Sequence, residues 1–131
     1  MAFKFSKRSK QNLNDVHPLL VKVVYRALEI SKVDFTVVDG LRSLEKQREY
    51  VAKGVSRTMK SYHLRQSTGY SHAVDLYPYY DGSVQVEAPC EKFCAIALVM
   101  KQAAAELGVT ICWGGDWKRF IDRPHYQIEV D

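Results

Sequence analysis

Ala73-Val74-Asp75-Leu76-Tyr77, entered through His72, is the stretch from which the rest of the chain can be read. Its residues alternate in character, the period-two signature of a strand with two unlike faces, so Ala73 and Asp75 share one face and His72 falls on the other. A turn is expected over residues 78–82, then a short strand at 83–86. Upstream, residues 34–39 (DFTVVD) are short and β-branched and stop at Gly40, which reads as another strand. Downstream, residues 110–113 and 126–130 read as two more. Val16, Leu19, Leu20, Val23, Val24, Ala27 and Leu28 recur at helical steps and predict a helix over 17–31, with Pro18 tolerated in its first turn. Ser43 stands as N-cap ahead of LEKQREYVAK, with Gly54 as the stop. The longest helix is expected over 91–107, burying Phe93, Ile96, Ala97, Met100, Ala103, Ala104 and Leu107, and closed by Gly108. Residues 55–71 are polar and aperiodic, a long loop of the kind that tends to carry function. There is no repeat or linker. The sequence predicts an α+β fold, a small, mainly antiparallel sheet backed by helices, as one domain over 1–131.

With 131 residues, 47% hydrophobic and 26% charged, the chain can bury a core, which excludes a disordered tail. The net charge of +4 suits an anionic partner without naming one. The basic residues are dispersed, the densest run being 4–10, so no nucleic-acid face is expected. Three cysteines, Cys90, Cys94 and Cys112, are an odd number and argue against a disulfide scaffold; Cys90 and Cys94 lack CxxC spacing and read as buried or semi-buried thiols. The basic first residues lead into no apolar region, so no export signal is expected. The longest apolar run, 94–100, is far short of the ~20 residues needed to span a bilayer. The expectation is a chain made in the cytoplasm, monomeric and not membrane-inserted.

Four histidines fall at 17, 63, 72 and 125. His17, beside Pro18 at a helix start, reads as a surface or capping residue. The other three lie close to aspartates. A catalytic zinc site takes about three N/O ligands and leaves a position open for water. Asp75 on one strand and His125 at the start of the last can supply two. The third is His63 or His72, and strand geometry favours His63, because His72 and Asp75 point to opposite faces. Asp122 precedes His125 across Pro124, in a turn that can set a carboxylate beside the water as a general base; the competing reading is a solvated turn residue. Arg42 can hold an oxyanion or a substrate carboxylate, or be a surface arginine. Trp113-Gly-Gly-Asp-Trp117 can wall a substrate cleft through Trp113 and Trp117, or belong to the core.

Ser61-Tyr-His63-Leu, Gly69, His72-Ala-Val-Asp75-Leu-Tyr-Pro, Trp113-Gly-Gly-Asp-Trp117 and Asp122-Arg-Pro-His125 together resemble the phage L-alanyl-D-glutamate peptidases. These are endolysins of the D-alanyl-D-alanine carboxypeptidase group of zinc metallopeptidases. The resemblance covers essentially the whole chain and includes Gly40-Leu-Arg42-Ser43. It implies a hedgehog/DD-peptidase-like fold and Zn2+ held by His63, Asp75 and His125. It further implies Asp122 as the base, Arg42 as the residue steadying substrate and oxyanion, and the peptidoglycan stem peptide as substrate. His63 stands farther ahead of Asp75 than in the family pattern, with extra residues within 64–71, which leaves His72 as the alternative ligand. The resemblance also implies a catalytic domain with no separate wall-binding domain, waiting in the host cytoplasm until a holin opens the inner membrane. Two other readings share these residues. One is a D-alanyl-D-alanine carboxypeptidase or dipeptidase of the same group; the other is a non-catalytic, zinc-containing wall-binding domain, which would have no need of Asp122.

Overall fold

The computed structural model describes residues 3–54 and 61–129. In chain order its elements are α1 (Lys7–Asn12), α2 (Pro18–Ile30), β1 (Phe35–Asp39), α3 (Leu44–Ala52), β2 (Ala73–Tyr80), β3 (Ser83–Val84), α4 (Cys90–Leu107), β4 (Ile111–Trp113) and β5 (His125–Ile128), with one 3-10 turn at Gly114–Asp116. The sheet runs β1-β2-β5-β4, β3 folds back on the end of β2, and every strand pairing is antiparallel. The α+β expectation therefore holds. Of the loop expected over 55–71, residues 55–60 lie outside the described residues, as does the end of the strand expected to reach residue 130.

Alternation explains the layers. Val74 and Leu76 of β2, Phe35 and Val37 of β1 and Tyr126 and Ile128 of β5 are all buried, in one cluster with Leu20, Val23 and Val24 of α2 and Ile96, Met100 and Ala103 of α4. Asp75 and Gln127 belong to the opposite phase of their strands and face the other side. Burying these aliphatic and aromatic side chains contributes roughly 1.5–3 kcal/mol each, the main stabilising term for the sheet that carries the site.

Several expectations shift. β2 continues through Pro78 to Tyr80, and the turn is confined to Asp81 and Gly82, whose φ are 54° and 76°. Proline is tolerated because successive N–H groups of β2 alternate sides. Tyr79 N donates toward β1, to Asp34 O, and Leu76 N away from it, to Pro124 O, so at position 78 no donor to β1 is lost. The basic N-terminal segment forms α1, which has no apolar stripe to announce it. It docks through polar groups instead: Ser9 Oγ lies 2.7 Å from Thr36 Oγ1 and accepts from Val37 N, while Asn12 Nδ2 donates to Val37 O. Cys90 and Cys94 are exposed rather than buried, flanking the apolar stripe of α4, and Leu107 is exposed in its last turn.

Candidate metal centre

The sheet lines up the site. Asp39 pairs with Asp75 across β1 and β2, and Asp75 with His125 across β2 and β5, giving a row of three polar residues on the face away from the core. Strict alternation would put Asp39 in phase with Val37, which pairs with core-facing Leu76. A register shift between Val37 and Asp39 turns Asp39 onto the face of Asp75 instead.

His63 reaches this row from the loop. Arg42 N donates to His63 O at 2.8 Å, and His72 N to Tyr62 O at 2.9 Å, so residues 61–63 are clamped between the end of β1 and the start of β2. The extra residues within 64–71 close on themselves: Gln66 N donates to Tyr70 O, Gly69 N to Gln66 O, and Arg65 bridges Ser71. The added length leaves His63 in place. Gly40 supplies the other half of the clamp. A Cβ there would lie 2.0 Å from Asn12 O, so only glycine permits the approach of α1, and its carbonyl receives His63 Nδ1 at 2.9 Å.

His63 Nε2 stands 3.1 Å and His125 Nδ1 3.6 Å from the same oxygen, Asp75 Oδ1. One donor atom from each of the three residues lies within 4.8 Å of the others. The outer nitrogens are committed to oxygens that only accept: His63 Nδ1 to Gly40 O, and His125 Nε2 to Gln127 Oε1 at 2.8 Å. That network places a ring hydrogen on each outer nitrogen, so the inner ones are left to carry either a second proton or, as lone-pair donors, a metal ion. Two such lone pairs facing a carboxylate oxygen repel unless a cation sits among them, so the residues fit a metal ion. Where protons rather than a metal fill that gap, burial still pushes the Asp75 carboxyl up, but the charge of a protonated His63, hydrogen bonds from His125 and His63, and the charge of His125 outweigh it and hold it well below the usual carboxylate range. His125 answers in kind: burial lowers its pKa, but the hydrogen bond to Asp75, that residue's charge, Gln127 and Asp122 raise it above the ordinary value.

His72 is not part of this group. Its Nε2 meets Thr68 Oγ1 at 2.7 Å and its ring packs edge-on to His17, which caps α2 by accepting from Leu19 N. Asp122 is near enough to this group for the charges of Asp75, His125, His63 and Arg42 to act on its carboxyl. Its backbone is held by Asp122 N to Gly114 O at 3.0 Å and His125 N to Asp122 O at 3.1 Å. Although the residue is exposed, the surroundings of its carboxyl desolvate it enough that burial, followed by the charge of Asp75, raises its pKa against the pull of His125, His63 and Arg42.

The two tryptophans divide. Trp117 is partly exposed, with its ring centroid 5.1 Å from that of His125, so it can present a face to a ligand. Trp113 does not: it is buried, stacks on Tyr126, and spends its indole N–H on Arg123 O at 2.7 Å. It holds the turn that carries Asp122, and the expectation that it lines a substrate cleft is corrected accordingly.

Arg42 is buried, not a surface residue. Nε and Nη2 donate to Asp39 Oδ2 at 3.0 and 2.6 Å, Nη1 donates to Gln47 Oε1 at 2.8 Å, and Nη2 also stands 3.5 Å from Asp75 Oδ2. Asp39, Gln47, Gln127 and Tyr77 were not among the residues expected at the site. Tyr77 follows Asp75 on the same face of β2, where burial and then the charges of Asp75, Asp122 and Asp39 push its phenol up to about 12. The two-residue period would have flagged Tyr77 and Gln127 once Asp75 and His125 were chosen.

Comparison with known structures gives the class first. The fold matches the crystal structure of the Serratia marcescens L-Ala D-Glu endopeptidase ChiX with a TM-score of 0.84 at 42% identity, covering 98% of this chain and 91% of that one. It also matches the vancomycin-resistance D,D-dipeptidase VanXYg, solved with a D-Ala-D-Ala phosphinate analogue, with a TM-score of 0.52 at 17% identity, over 86% of this chain and 50% of that one, a likeness of fold. At the level of sequence, the chain is 38% identical to the L-alanyl-D-glutamate peptidase of Escherichia phage T5 over 117 residues, 89% of this chain and 83% of that protein. The phage L-alanyl-D-glutamate peptidase family matches residues 1–130, and the chain belongs to that family.

Proposed function

We propose that the chain is a zinc-dependent endopeptidase that hydrolyses the L-alanyl-D-glutamate bond of the peptidoglycan stem peptide during phage-induced lysis. The observation that carries the reading is the convergence of His63, Asp75 and His125 within 4.8 Å, in a chain of this family, with Asp122 close enough for their charges to act on it. His63 Nε2, Asp75 Oδ1 and His125 Nδ1 would hold the ion. Zinc in such a site supplies a Lewis acid for the scissile carbonyl and lowers the pKa of water toward neutrality.

The chain's own residues do the rest. Asp122, an exposed residue whose pKa is raised, takes the proton of the attacking water and returns it to the leaving amine of D-Glu as the C–N bond breaks. Gly114 and Trp113 fix where that carboxyl stands. Trp117 offers a ring face at the mouth. The positive net charge suits the carboxylate-bearing stem. No helix among the described residues is long and apolar enough to cross a membrane. We place the enzyme in the host cytoplasm before a holin releases it to the wall, with residues 1–131 acting as one catalytic domain.

The test is mass spectrometry of purified peptidoglycan digested with the protein, with and without a chelator. New L-alanine carboxyl ends and D-glutamate amino ends, lost with chelator and restored by Zn2+, are expected. Release of D-alanine alone would support a D,D-carboxypeptidase instead. No cleavage by folded, zinc-loaded protein would overturn the catalytic reading.

A further inference from the structure

The two oxygens of Asp75 have different neighbours. Oδ1 faces His63 Nε2 and His125 Nδ1, whereas Oδ2 faces Arg42 Nη2 at 3.5 Å. Arg42 is itself held on every side. Its Nε and Nη2 share Asp39 Oδ2, its Nη1 donates to Gln47 Oε1, and its guanidinium carbon lies 4.5 Å from the centre of the Tyr50 ring. Gln47 is fully buried, the one buried residue of α3, on a helix whose other positions are exposed or half-buried. A polar side chain sunk completely while its apolar neighbour Leu44 remains half exposed is there for a bond, since burying an amide without one is costly. A guanidinium held at Nε, Nη1 and Nη2 is fixed in position, and one of its remaining N–H groups, on Nη2, lies toward Asp75 Oδ2.

We infer that Asp39 and Gln47 are positioning residues. They lock Arg42 so that it engages Asp75 Oδ2, reserving Oδ1 for the metal and making Asp75 a one-oxygen ligand. This deepens the zinc-peptidase reading and rests on it.

Gln47→Met keeps the buried volume and removes the acceptor from Nη1; Gln47→Glu keeps an acceptor. The apo proteins are reloaded with Zn2+ against a competing chelator, and kcat and KM are measured on purified peptidoglycan. Loss of a partner behind a ligand typically costs 10–100-fold in metal affinity or activity. Gln47→Met is therefore expected to weaken zinc binding at least tenfold and to lower kcat with little change in KM, while Gln47→Glu recovers most of both. A Gln47→Met protein with wild-type thermal stability and zinc affinity within twofold of wild type would overturn the inference, since a merely space-filling Gln47 predicts that result.

Should Gln47→Met not fold, the crystal structure of the zinc-loaded wild type decides. Asp75 bound through Oδ1 alone, with Arg42 on Oδ2, supports the inference; Asp75 bound through both oxygens, or Arg42 turned away, refutes it. Failure of the peptidase reading looks different, because the wild type itself would then neither hold zinc nor cut.

Discussion

Replacing Gly114 by alanine tests the placement of Asp122 without touching its carboxyl. A Cβ at position 114 would stand 2.2 Å from Asp122 O and 3.1 Å from both Asp122 C and Cβ. The nearest obstacles are backbone, so no rotamer change relieves them, and the two segments must separate by about 1 Å to restore ordinary contact. The same two residues are joined by the Asp122 N to Gly114 O hydrogen bond, and Trp113 ties the next residue, Arg123, through its carbonyl. The separation therefore displaces the segment carrying Asp122. A general base works within a heavy-atom distance of roughly 2.6–3.2 Å, and a misplacement of about 1 Å can cost on the order of 100-fold in rate. Overpacking of this kind also destabilises by about 1–3 kcal/mol, a fall in Tm on the order of 5–10 °C for a chain of this size. The assay follows release of new amino ends from peptidoglycan, alongside zinc content and thermal unfolding. Gly114→Ala should lower kcat about 100-fold while still taking up zinc when it is saturating. A variant with kcat within threefold of wild type would refute the argument that this glycine sets the base.

Asp122→Asn leaves every proposed metal donor in place, so it should retain zinc and lose about 100- to 10,000-fold in kcat, measured in the same assay. Tyr126 is buried and its hydroxyl finds no hydrogen-bond partner among the described residues. Tyr126→Phe should therefore be neutral or stabilising by up to about 1–3 kcal/mol in denaturant titration, and clear destabilisation would show that the hydroxyl is satisfied in solution. His72 has its pKa lowered by burial and then by His17, with Glu129 opposing. The unfolded chain thus binds a proton at this position before the folded one does. Its contribution to stability is complete above the ordinary value of 6.5 and is lost as pH falls from there through the depressed folded value. With Tyr62, Thr68, His17 and Glu129 around it, His72→Gln should flatten the loss of stability on acidification, read from unfolding curves between pH 7 and 5; an unchanged slope would remove His72 as its source.

What could be read from the sequence was what residue type encodes. His63, Asp75, Asp122 and His125 are chemically distinctive, and period two on β2 was enough to separate His72 from the face of Asp75. The long helices and the core strands carry their own periodicity, and they formed within a residue or two of the expected bounds, except β2, which runs three residues past Tyr77. α1 escaped because it binds the sheet through Ser9 and Asn12, and polar docking leaves no hydrophobic period. Asp39 escaped for a different reason. In FTVVD it keeps step with Phe35 and Val37, and only the register shift against β2 turns it toward Asp75. A bulge belongs to the pairing of two strands, and neither strand alone announces it.

Arg42 shows the same limit: its residue type marks it as a site candidate, but the partners that hold it, Asp39 before it and Gln47 after it, are announced by neither strand nor helix pattern. The loop before β2 makes the complementary point. Residues 64–71 lengthen the sequence between His63 and Asp75, yet their hydrogen bonds to one another return the chain to the same place, with His72 N on Tyr62 O. Closing a somewhat longer loop costs only a fraction of a kcal/mol. Spacing along the chain was therefore weak evidence against His63. Its real constraint is the Gly40 carbonyl, 23 residues upstream, to which its outer nitrogen is tied.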